Sequence, residues 1–128
     1  MQQVGLVAHD QKKPLLVAWA ERHRTALAGF ELFATGTTGA GIVAATGLPI
    51  TLLKSGPLGG DAQLGAMIAE GRLDALVFFQ DPLSALPHDV DVKALTRLAT
   101  LYDVLFAINA STADAVLAAL LRPAPGAG

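Results

Sequence analysis

Residues 31–53 of the chain read ELFATGTTGAGIVAATGLPITLL and carry the pattern that decides the fold. An apolar run at 31–34 is followed by a Thr-Gly cluster, a helix-like stretch to about Thr46, Gly47 as a helix stop, and a second apolar run at 50–53. Both runs are almost wholly apolar, which is typical of strands that are covered on both faces. The stretch therefore predicts a strand, a crossover helix and a second, parallel strand.

The same succession of apolar run, polar cluster and helix-like stretch continues through the rest of the chain. Further strands are predicted at 4–8, 75–79 and 104–108, and helices at 14–28, 62–70 and 92–102, with a last helix ending near residue 121. Strands that alternate with helices predict an α/β domain, in which helices cover both sides of a mostly parallel five-stranded sheet. We expect this single domain to span 1–122 and a flexible C-terminal tail to follow at 123–128.

The composition of the 128-residue chain limits the classes of function. With 52% hydrophobic and 16% charged residues, the chain can bury its own core, and part of its apolar surface is expected to contact other subunits. A net charge of −2, with no basic block larger than Lys12-Lys13, argues against nucleic acid as a partner. The absence of cysteine excludes a disulfide scaffold, a thiolate metal site and a cysteine nucleophile.

Membrane and targeting signals are not expected. Residues 32–53 carry no charge and are long enough to cross a bilayer, but their glycines, threonines and Pro49 would break a spanning helix. The first ten residues have no basic segment before their apolar run, so they do not resemble a signal peptide. We therefore expect a cytoplasmic protein that does not bind a membrane.

Polar clusters follow all the predicted strands, and they predict the position of the functional site. Ligands of an open parallel sheet bind beyond the carboxyl ends of its strands, where these clusters lie. The cluster TGTTG at 35–39 offers hydroxyl groups and backbone N–H groups at a helix start, which suits the phosphate of a small molecule. It lacks the glycine spacing of nucleotide-binding loops, and a simple capped turn is the alternative interpretation.

A second polar cluster, SGPLGGD at 55–61, follows the predicted strand at 50–53. Its pair Gly59-Gly60 permits backbone geometry that other residues avoid and lets a ligand approach the chain closely. Asp61 then stands at or next to a helix start, where it is either a helix N-cap or a carboxylate of the site. The Thr-Gly cluster at the neighbouring strand end favours the second interpretation.

Histidines and a lysine add chemistry to the same edge of the sheet. His9 follows the first predicted strand, and Lys13 stands one turn further along, where it would add a positive charge for a bound phosphate. His88 would orient a carbonyl group or transfer protons. The three histidines lack the spacing of a metal site, and no serine lies in the Gly-x-Ser-x-Gly turn of a hydrolase, so we expect neither a bound metal nor a serine hydrolase.

Several of these clusters, taken together and in order, resemble the motifs of methylglyoxal synthase. The segments that carry the resemblance are LVAHD at 6–10, FATGTTG at 33–39, SGPLGGD at 55–61, FFQDPL at 78–83, PH at 87–88 and DV at 91–92. The similarity extends to about residue 120. It implies a Rossmann-like three-layer α/β sandwich, usually assembled as a homohexamer, that converts dihydroxyacetone phosphate to methylglyoxal and inorganic phosphate without a cofactor.

The resemblance also implies roles for individual residues. Asp61 would be the catalytic base, and the other residues implied in catalysis are His9, His88, Asp10 and Asp91. The substrate and its phosphate would contact His9, Lys13, Thr35, Gly36, Thr37, Thr38, Ser55, Gly56 and His88, while Asp81 would support the site. Inorganic phosphate would be both product and inhibitor.

Two departures from the family pattern stand out. Family members commonly continue with a tail arginine that is thought to reach a neighbouring subunit's site, whereas here Arg122 precedes a short Pro/Gly tail. We therefore expect that contribution to be missing or supplied otherwise. Gln80 stands where a bulky or basic residue is expected, although it need not touch substrate.

Two other functions remain open at this point. A non-catalytic binding module is possible, because the allosteric domain of large carbamoyl phosphate synthetases resembles the same fold. Such a module would need the anion-binding loops but not Asp61, His9 and His88, and all three are present. A sugar-phosphate isomerase would share the catalytic base but retain the phosphate.

Overall fold

The computed structural model describes residues 1–83 and 92–122 and has a five-stranded sheet at its centre. The strands are β1 (Gln3–Ala8), β2 (Glu31–Thr35), β3 (Ile50–Leu53), β4 (Ala75–Phe79) and β5 (Leu105–Ala107). Their spatial order is β3-β2-β1-β4-β5, and all four pairings are parallel. In the described part of the chain the sheet is thus wholly parallel rather than mostly parallel, and every strand ends at the same edge.

Helices cover both faces of this sheet. They are α1 (Lys13–Arg22), α2 (Arg24–Leu27), α3 (Gly36–Thr46), α4 (Gly60–Ala69), α5 (Val92–Leu101) and α6 (Ala110–Leu121), with short 3-10 turns at Asp10–Lys12 and Gly56–Leu58. Helices α1, α3 and α6 pack over one face, and α4 and α5 over the other. The predicted three-layer α/β architecture is therefore confirmed.

The central strands are apolar throughout because their side chains enter two separate cores. Along β1, Val4 and Leu6 face the core under α1 and α6, whereas Val7 faces the core under α4 and α5. The prediction of burial on both faces is confirmed for β1, β2 and β4. It is wrong for the edge strands, where Leu52 of β3 is 51% exposed and Leu105 of β5 is 39% exposed, because the helices cover the edges incompletely.

The helix predicted over 14–28 is interrupted. Pro14 stands in the first turn of α1 as expected, but α1 ends at His23, whose φ of −109° and ψ of 20° are not helical. His23 is therefore not in mid-helix but at a break, and its Nε2 lies 3.0 Å from Oδ1 of Asp114 in α6. The same oxygen accepts a hydrogen bond from Trp19 Nε1 at 2.8 Å, so α1 contacts α6 at the break, and the rest of the predicted helix continues as the short helix α2.

Residues 32–53 do not form one long helix. They contain most of β2, then α3 and β3, and α3 begins directly at Gly36 with no loop between strand and helix. Nowhere in the described ranges is a helix both long enough and apolar enough to cross a bilayer. The predicted loop that contains His88, the N-cap prediction for Asp91 and the tail at 123–128 lie outside the described residues.

Candidate active site

The sheet order places a crevice between the ends of β1 and β4. From β1 the chain proceeds to β2 and β3 on one side, and β4 and β5 lie on the other, so the direction of progression reverses between β1 and β4. Ligands of parallel α/β sheets bind at such a switch point. His9 follows β1 there, and its Nδ1 accepts a hydrogen bond from the backbone N–H of Asp81, beyond β4, at 2.8 Å. This bond joins the two loops across the crevice.

The hydrogen bond to Asp81 fixes the protonation pattern of the neutral His9 ring. A backbone N–H can only donate, so Nδ1 is the acceptor and the ring proton resides on Nε2. The side chain is 6% exposed, and Nε2 has no hydrogen-bond partner among the residues described. The edge of the ring is packed against Phe78 at a centroid distance of 5.1 Å. His9 is therefore a held, buried N–H donor that a ligand oxygen could satisfy.

The start of α3 forms an anion-binding element with Lys13. Thr35 is the N-cap of α3 and makes no side-chain capping bond, so the first-turn N–H groups beyond Gly36, whose N–H donates to Lys54, are not occupied by a cap. Lys13 Nζ donates a hydrogen bond to Thr37 Oγ1 at 2.7 Å. A positive charge and a helix N-terminus thus meet at one place, and we call Thr35, Gly36, Thr37 and Lys13 the cradle.

Lys13 is also bound to Asp10, at 2.7 Å between Nζ and Oδ1. The hydrogen bond from Lys13, and then its positive charge, lower the pKa of the Asp10 carboxyl below its ordinary value. Asp10 is therefore an anion at neutral pH and holds Lys13 beside Thr37. The charge of Asp10 is thus engaged by the lysine.

The loop after β3 packs directly against the cradle. Gly36 N–H donates to the carbonyl of Lys54 at 3.4 Å, and a Cβ on Gly36 would lie 3.3 Å from Ser55 N. Gly60 N–H donates to the Ser55 carbonyl at 2.9 Å. A Cβ on Gly60 would clash with the Lys54 carbonyl oxygen and would lie 3.0 Å from Thr35 Cγ2. Only glycine fits at position 60, which explains the second glycine of the pair Gly59-Gly60.

Asp61 is the second residue of α4 and is half-buried. The N-cap of that helix is Gly59, which has a φ of 111°, so the interpretation of Asp61 as the N-cap is wrong. Its Oδ1 accepts a hydrogen bond from the N–H of Ala62 at 2.9 Å. Asp61 therefore lies in the first turn of α4, at the positive end of the helix dipole.

The structure brings most of the predicted site residues to one edge. The contacts form three groups at the ends of neighbouring strands: His9 with Asp81, Asp10 with Lys13 and Thr37, and Thr35 and Gly36 at the start of α3 beside Ser55. Gly56 opens the 3-10 turn after Ser55, and its carbonyl accepts from Gly59 N–H at 3.1 Å. Thr38 is buried on the inner face of α3, and its hydroxyl has no partner within 1–83 and 92–122. His88 and Asp91 lie outside the described residues.

Sequence reasoning missed two features of the site. The group of Asp81 that holds His9 is the backbone N–H rather than the carboxylate, and no side-chain pattern could have revealed it. The Lys54 carbonyl, which receives Gly36 N–H and excludes a side chain at Gly60, is also a backbone group. Within the described ranges, no three His, Asp or Glu side chains gather in a way that could hold a metal ion.

Fold and site together define an α/β domain with a lysine, a helix start and a buried histidine at the carboxyl edge of a parallel sheet. Comparison with known proteins gives the family. The family model of the MGS-like domain matches residues 15–108. A methylglyoxal synthase from Brucella anthropi is 58% identical over 118 residues, which cover 91% of this chain and 94% of that protein. One from Agrobacterium fabrum is 57% identical over 112 residues, covering 87% and 88%.

A solved structure agrees with the sequence relatives. The crystal structure of methylglyoxal synthase from Elizabethkingia anophelis superposes with a TM-score of 0.88 and 40% identity, covering 98% of this chain and 93% of that one. The chain belongs to the methylglyoxal synthase family, so the resemblance inferred from its motifs is confirmed.

Proposed function

We propose that this chain is a carbon–oxygen lyase that converts dihydroxyacetone phosphate to methylglyoxal and inorganic phosphate. The observation that carries this proposal is the 58% identity, over 91% of the chain, with a protein named methylglyoxal synthase. The geometry of the site supports it, because an anion cradle, a buried N–H donor and a first-turn carboxylate lie at one edge of the sheet.

The phosphate of the substrate binds to the cradle in this proposal. The first-turn N–H groups of α3 and the Lys13 ammonium supply positive potential, and the loop of Ser55 and Gly56 contacts the phosphate from a second side. Two loops are needed for a chemical reason. The bond from carbon to the phosphate oxygen must stand roughly perpendicular to the plane of the intermediate before it breaks, so the phosphate has to be held out of that plane.

Asp61 acts as the base in the first step. Its carboxylate takes a proton from carbon three, and the electron pair of that C–H bond forms the C=C bond of an enediolate, with negative charge on the carbonyl oxygen. The Nε2–H of His9 donates to a substrate oxygen, and His88 in its neutral form stabilises the oxygen on which charge grows. Asp91 assists proton transfer, while Asp10 and Asp81 position Lys13 and His9.

Loss of phosphate completes the reaction. The hydroxyl on carbon three loses its proton and becomes the aldehyde carbonyl, while the C2=C3 electron pair of the enediolate shifts toward carbon one and the bond from carbon one to the phosphate oxygen breaks. The departing phosphate takes up that hydroxyl proton and leaves as the hydrogen phosphate dianion, stabilised by Lys13 and the start of α3. The remaining enol of methylglyoxal takes up a proton at carbon one. No oxidant and no cofactor enters this balance. Because the product phosphate occupies the cradle, we also propose that inorganic phosphate inhibits the enzyme.

The direct test is to incubate the purified protein with dihydroxyacetone phosphate and to measure methylglyoxal and free phosphate together. The proposal requires the two products in equal amounts. Formation of an aldehyde that keeps its phosphate would identify a sugar-phosphate isomerase instead. Substrate binding without any turnover would identify a non-catalytic binding module.

We further propose that the chain assembles as a homohexamer in the cytoplasm. Several large apolar side chains are exposed on the single chain, among them Leu52, Leu58, Leu101 and Leu121. Burying such surface between subunits is a common reason for symmetric assembly. Sedimentation at micromolar protein concentration tests the assembly, and a species with the mass of one chain would contradict it.

A further inference from the structure

A groove separate from the active site opens between α1, α6 and the ends of β4 and β5. Its volume is about 390 Å³, and its apolar lining includes Leu15, Phe79, Ile108 and Ala110. This volume is in the range of small-molecule sites and well above the roughly 150 Å³ that accommodates benzene in a protein interior. None of the residues assigned above to catalysis or to the cradle lines it.

The polar part of the groove is positively charged. Lys12 and Arg22 line it, and neither side chain forms an ion pair or hydrogen bond with any described residue. No carboxylate belongs to the described lining, whereas the amides of Gln80 and Asn109 do. Asn109 is also the N-cap of the 12-residue helix α6, so the positive end of a helix dipole points to the same place.

The geometry of α1 brings both cations to the apolar wall. Arg22 follows Leu15 by seven residues, so the two side chains lie on the same face of α1. Side chains on a helix lean toward its N-terminus, which directs the Arg22 guanidinium toward Leu15. Lys12 precedes the first turn of α1 and closes the groove from the other end.

We propose that this groove is a second binding site, for a small organic anion that carries an apolar body, such as an aromatic or branched aliphatic carboxylate. The apolar wall would bury the body of the ligand, Arg22 would pair with its anionic group, and Lys12 would add positive potential at the other end of the groove. Charge complementarity selects this class: a neutral apolar ligand would leave both cations unpaired, and an inorganic anion would leave the apolar wall empty. The site lies behind the loop that holds His9, since Gln80 lines the groove and Asp81 binds the histidine.

The experiment uses anilinonaphthalene sulfonate, a fluorescent aromatic anion, titrated into the purified protein in the absence of substrate. The proposal requires saturable binding at a single site per chain. Arg22→Gln is expected to weaken this binding by about fivefold, the upper end of the scale for one solvent-exposed ion pair. Arg24→Gln is the matched control, because Arg24 is also an exposed arginine near the end of α1 but does not line the groove. The affinity of Arg24→Gln for the probe should stay within about twofold of that of the parent protein.

Two further measurements separate the groove from the cradle and from a subunit contact. Lys13→Gln should reduce the affinity for inorganic phosphate and leave the affinity for the probe unchanged. If the probe affinity instead falls in Lys13→Gln and stays unchanged in Arg22→Gln, the probe binds in the cradle and the proposal is overturned. The neutral analogue N-phenylnaphthylamine should bind clearly more weakly than the sulfonate, and equal binding would also overturn it. If Arg22→Gln lowers the mass of the assembly in sedimentation instead of the probe affinity, the groove is a contact between copies of the chain and the proposal fails.

Discussion

The two halves of the active site are held together by different kinds of contact. The loops after β1 and β4 are joined by a side chain, since His9 Nδ1 accepts from the Asp81 backbone. The loops after β2 and β3 are joined by backbone packing, with Gly36 N–H on the Lys54 carbonyl and Gly60 against the same carbonyl. The first half should therefore tolerate changes of volume but not of hydrogen-bonding pattern, and the second should behave in the opposite way.

The largest expected effect comes from a change of charge at constant volume. Asp61→Asn keeps an oxygen that can accept from the N–H of Ala62, so the fold should persist. The amide cannot take a proton from carbon three, and kcat should fall by about 10² to 10⁴. Steady-state kinetics measure this loss. Asp103→Asn is the control, because Asp103 is exposed and its φ of 56° is well tolerated by Asn.

Proton exchange sharpens the result for Asp61. Substrate incubated with the enzyme in deuterated water should exchange at carbon three, and the variant should lose exchange and phosphate release together. Near-parental kcat in Asp61→Asn would remove Asp61 from the role of base and leave Asp10 or Asp91. Exchange that persists while phosphate release stops would assign Asp61 to the elimination step.

The next largest effect is on the free energy of unfolding, and it is expected where the loops after β2 and β3 pack through their backbones. Gly60→Ala places a methyl group against the Lys54 carbonyl, so the loops after β2 and β3 must separate, and we expect a loss of about 3 kcal/mol in the free energy of unfolding. At Gly59, the nearest atom to a Cβ is 3.9 Å away and only the φ of 111° opposes a side chain. Gly59→Ala should therefore cost only about 1 to 2 kcal/mol. Urea denaturation compares the two, and equal losses would contradict the packing argument.

A paired substitution at His9 tests the half that is joined by a side chain. Glutamine can place an amide N–H near the position of Nε2–H, whereas asparagine can place an acceptor near Nδ1 for the Asp81 backbone. His9→Gln should lower kcat/KM by about tenfold and His9→Asn by about 10², while His9→Asn should be the more stable of the two. Steady-state kinetics measure which variant is more active, and thermal unfolding measures which is more stable. If the asparagine variant is at least as active as the glutamine variant, the Nε2–H of His9 is not the group that contacts substrate.

The strand positions could be predicted because the side chains of the three central strands pack into the cores on both faces of the sheet. Val4, Leu6 and Val7 have to be apolar whichever face they enter, so the run is visible in the sequence without knowledge of the fold. The edge that carries the site followed from the same reasoning, since parallel strands all end on one side. The cradle was predictable for its composition, because small hydroxyl-bearing residues and glycine are what a helix start uses to bind an anion.

Long-range contacts explain what could not be predicted. At the break after α1, Asp114 of α6 contacts both His23 and Trp19. The tautomer of His9 depends on a backbone N–H that lies 72 residues away. Neither partner is marked by local propensity or by periodicity. Such contacts are fixed only when the sheet order brings the ends of β1 and β4 together.

A smaller effect is expected at Lys13, which connects the two halves. Lys13→Gln removes the charge beside Thr37 and should weaken inhibition by inorganic phosphate by about tenfold, with a rise in KM. Lys12→Gln is the control, since the neighbouring lysine faces the groove between α1 and α6. Equal losses in both variants would mean that general positive potential, and not the contact with Thr37, binds the phosphate.

The smallest effect concerns the titration of Asp10. Lys13 lowers the pKa of this carboxyl below its ordinary value of 3.8, so the ion pair stabilises the folded protein at and above that pH. Its contribution is lost only as the pH falls through the lower folded-state pKa. Across about pH 5 to 8 the carboxylate stays charged, and Asp10 should add nothing to the pH dependence of activity. Carboxyl-carbon NMR titration follows Asp10 directly, and in Lys13→Gln its midpoint should rise toward the ordinary value. An unchanged midpoint would show that Lys13 is not the cause of the shift and would leave the lysine without a carboxylate to hold it beside Thr37.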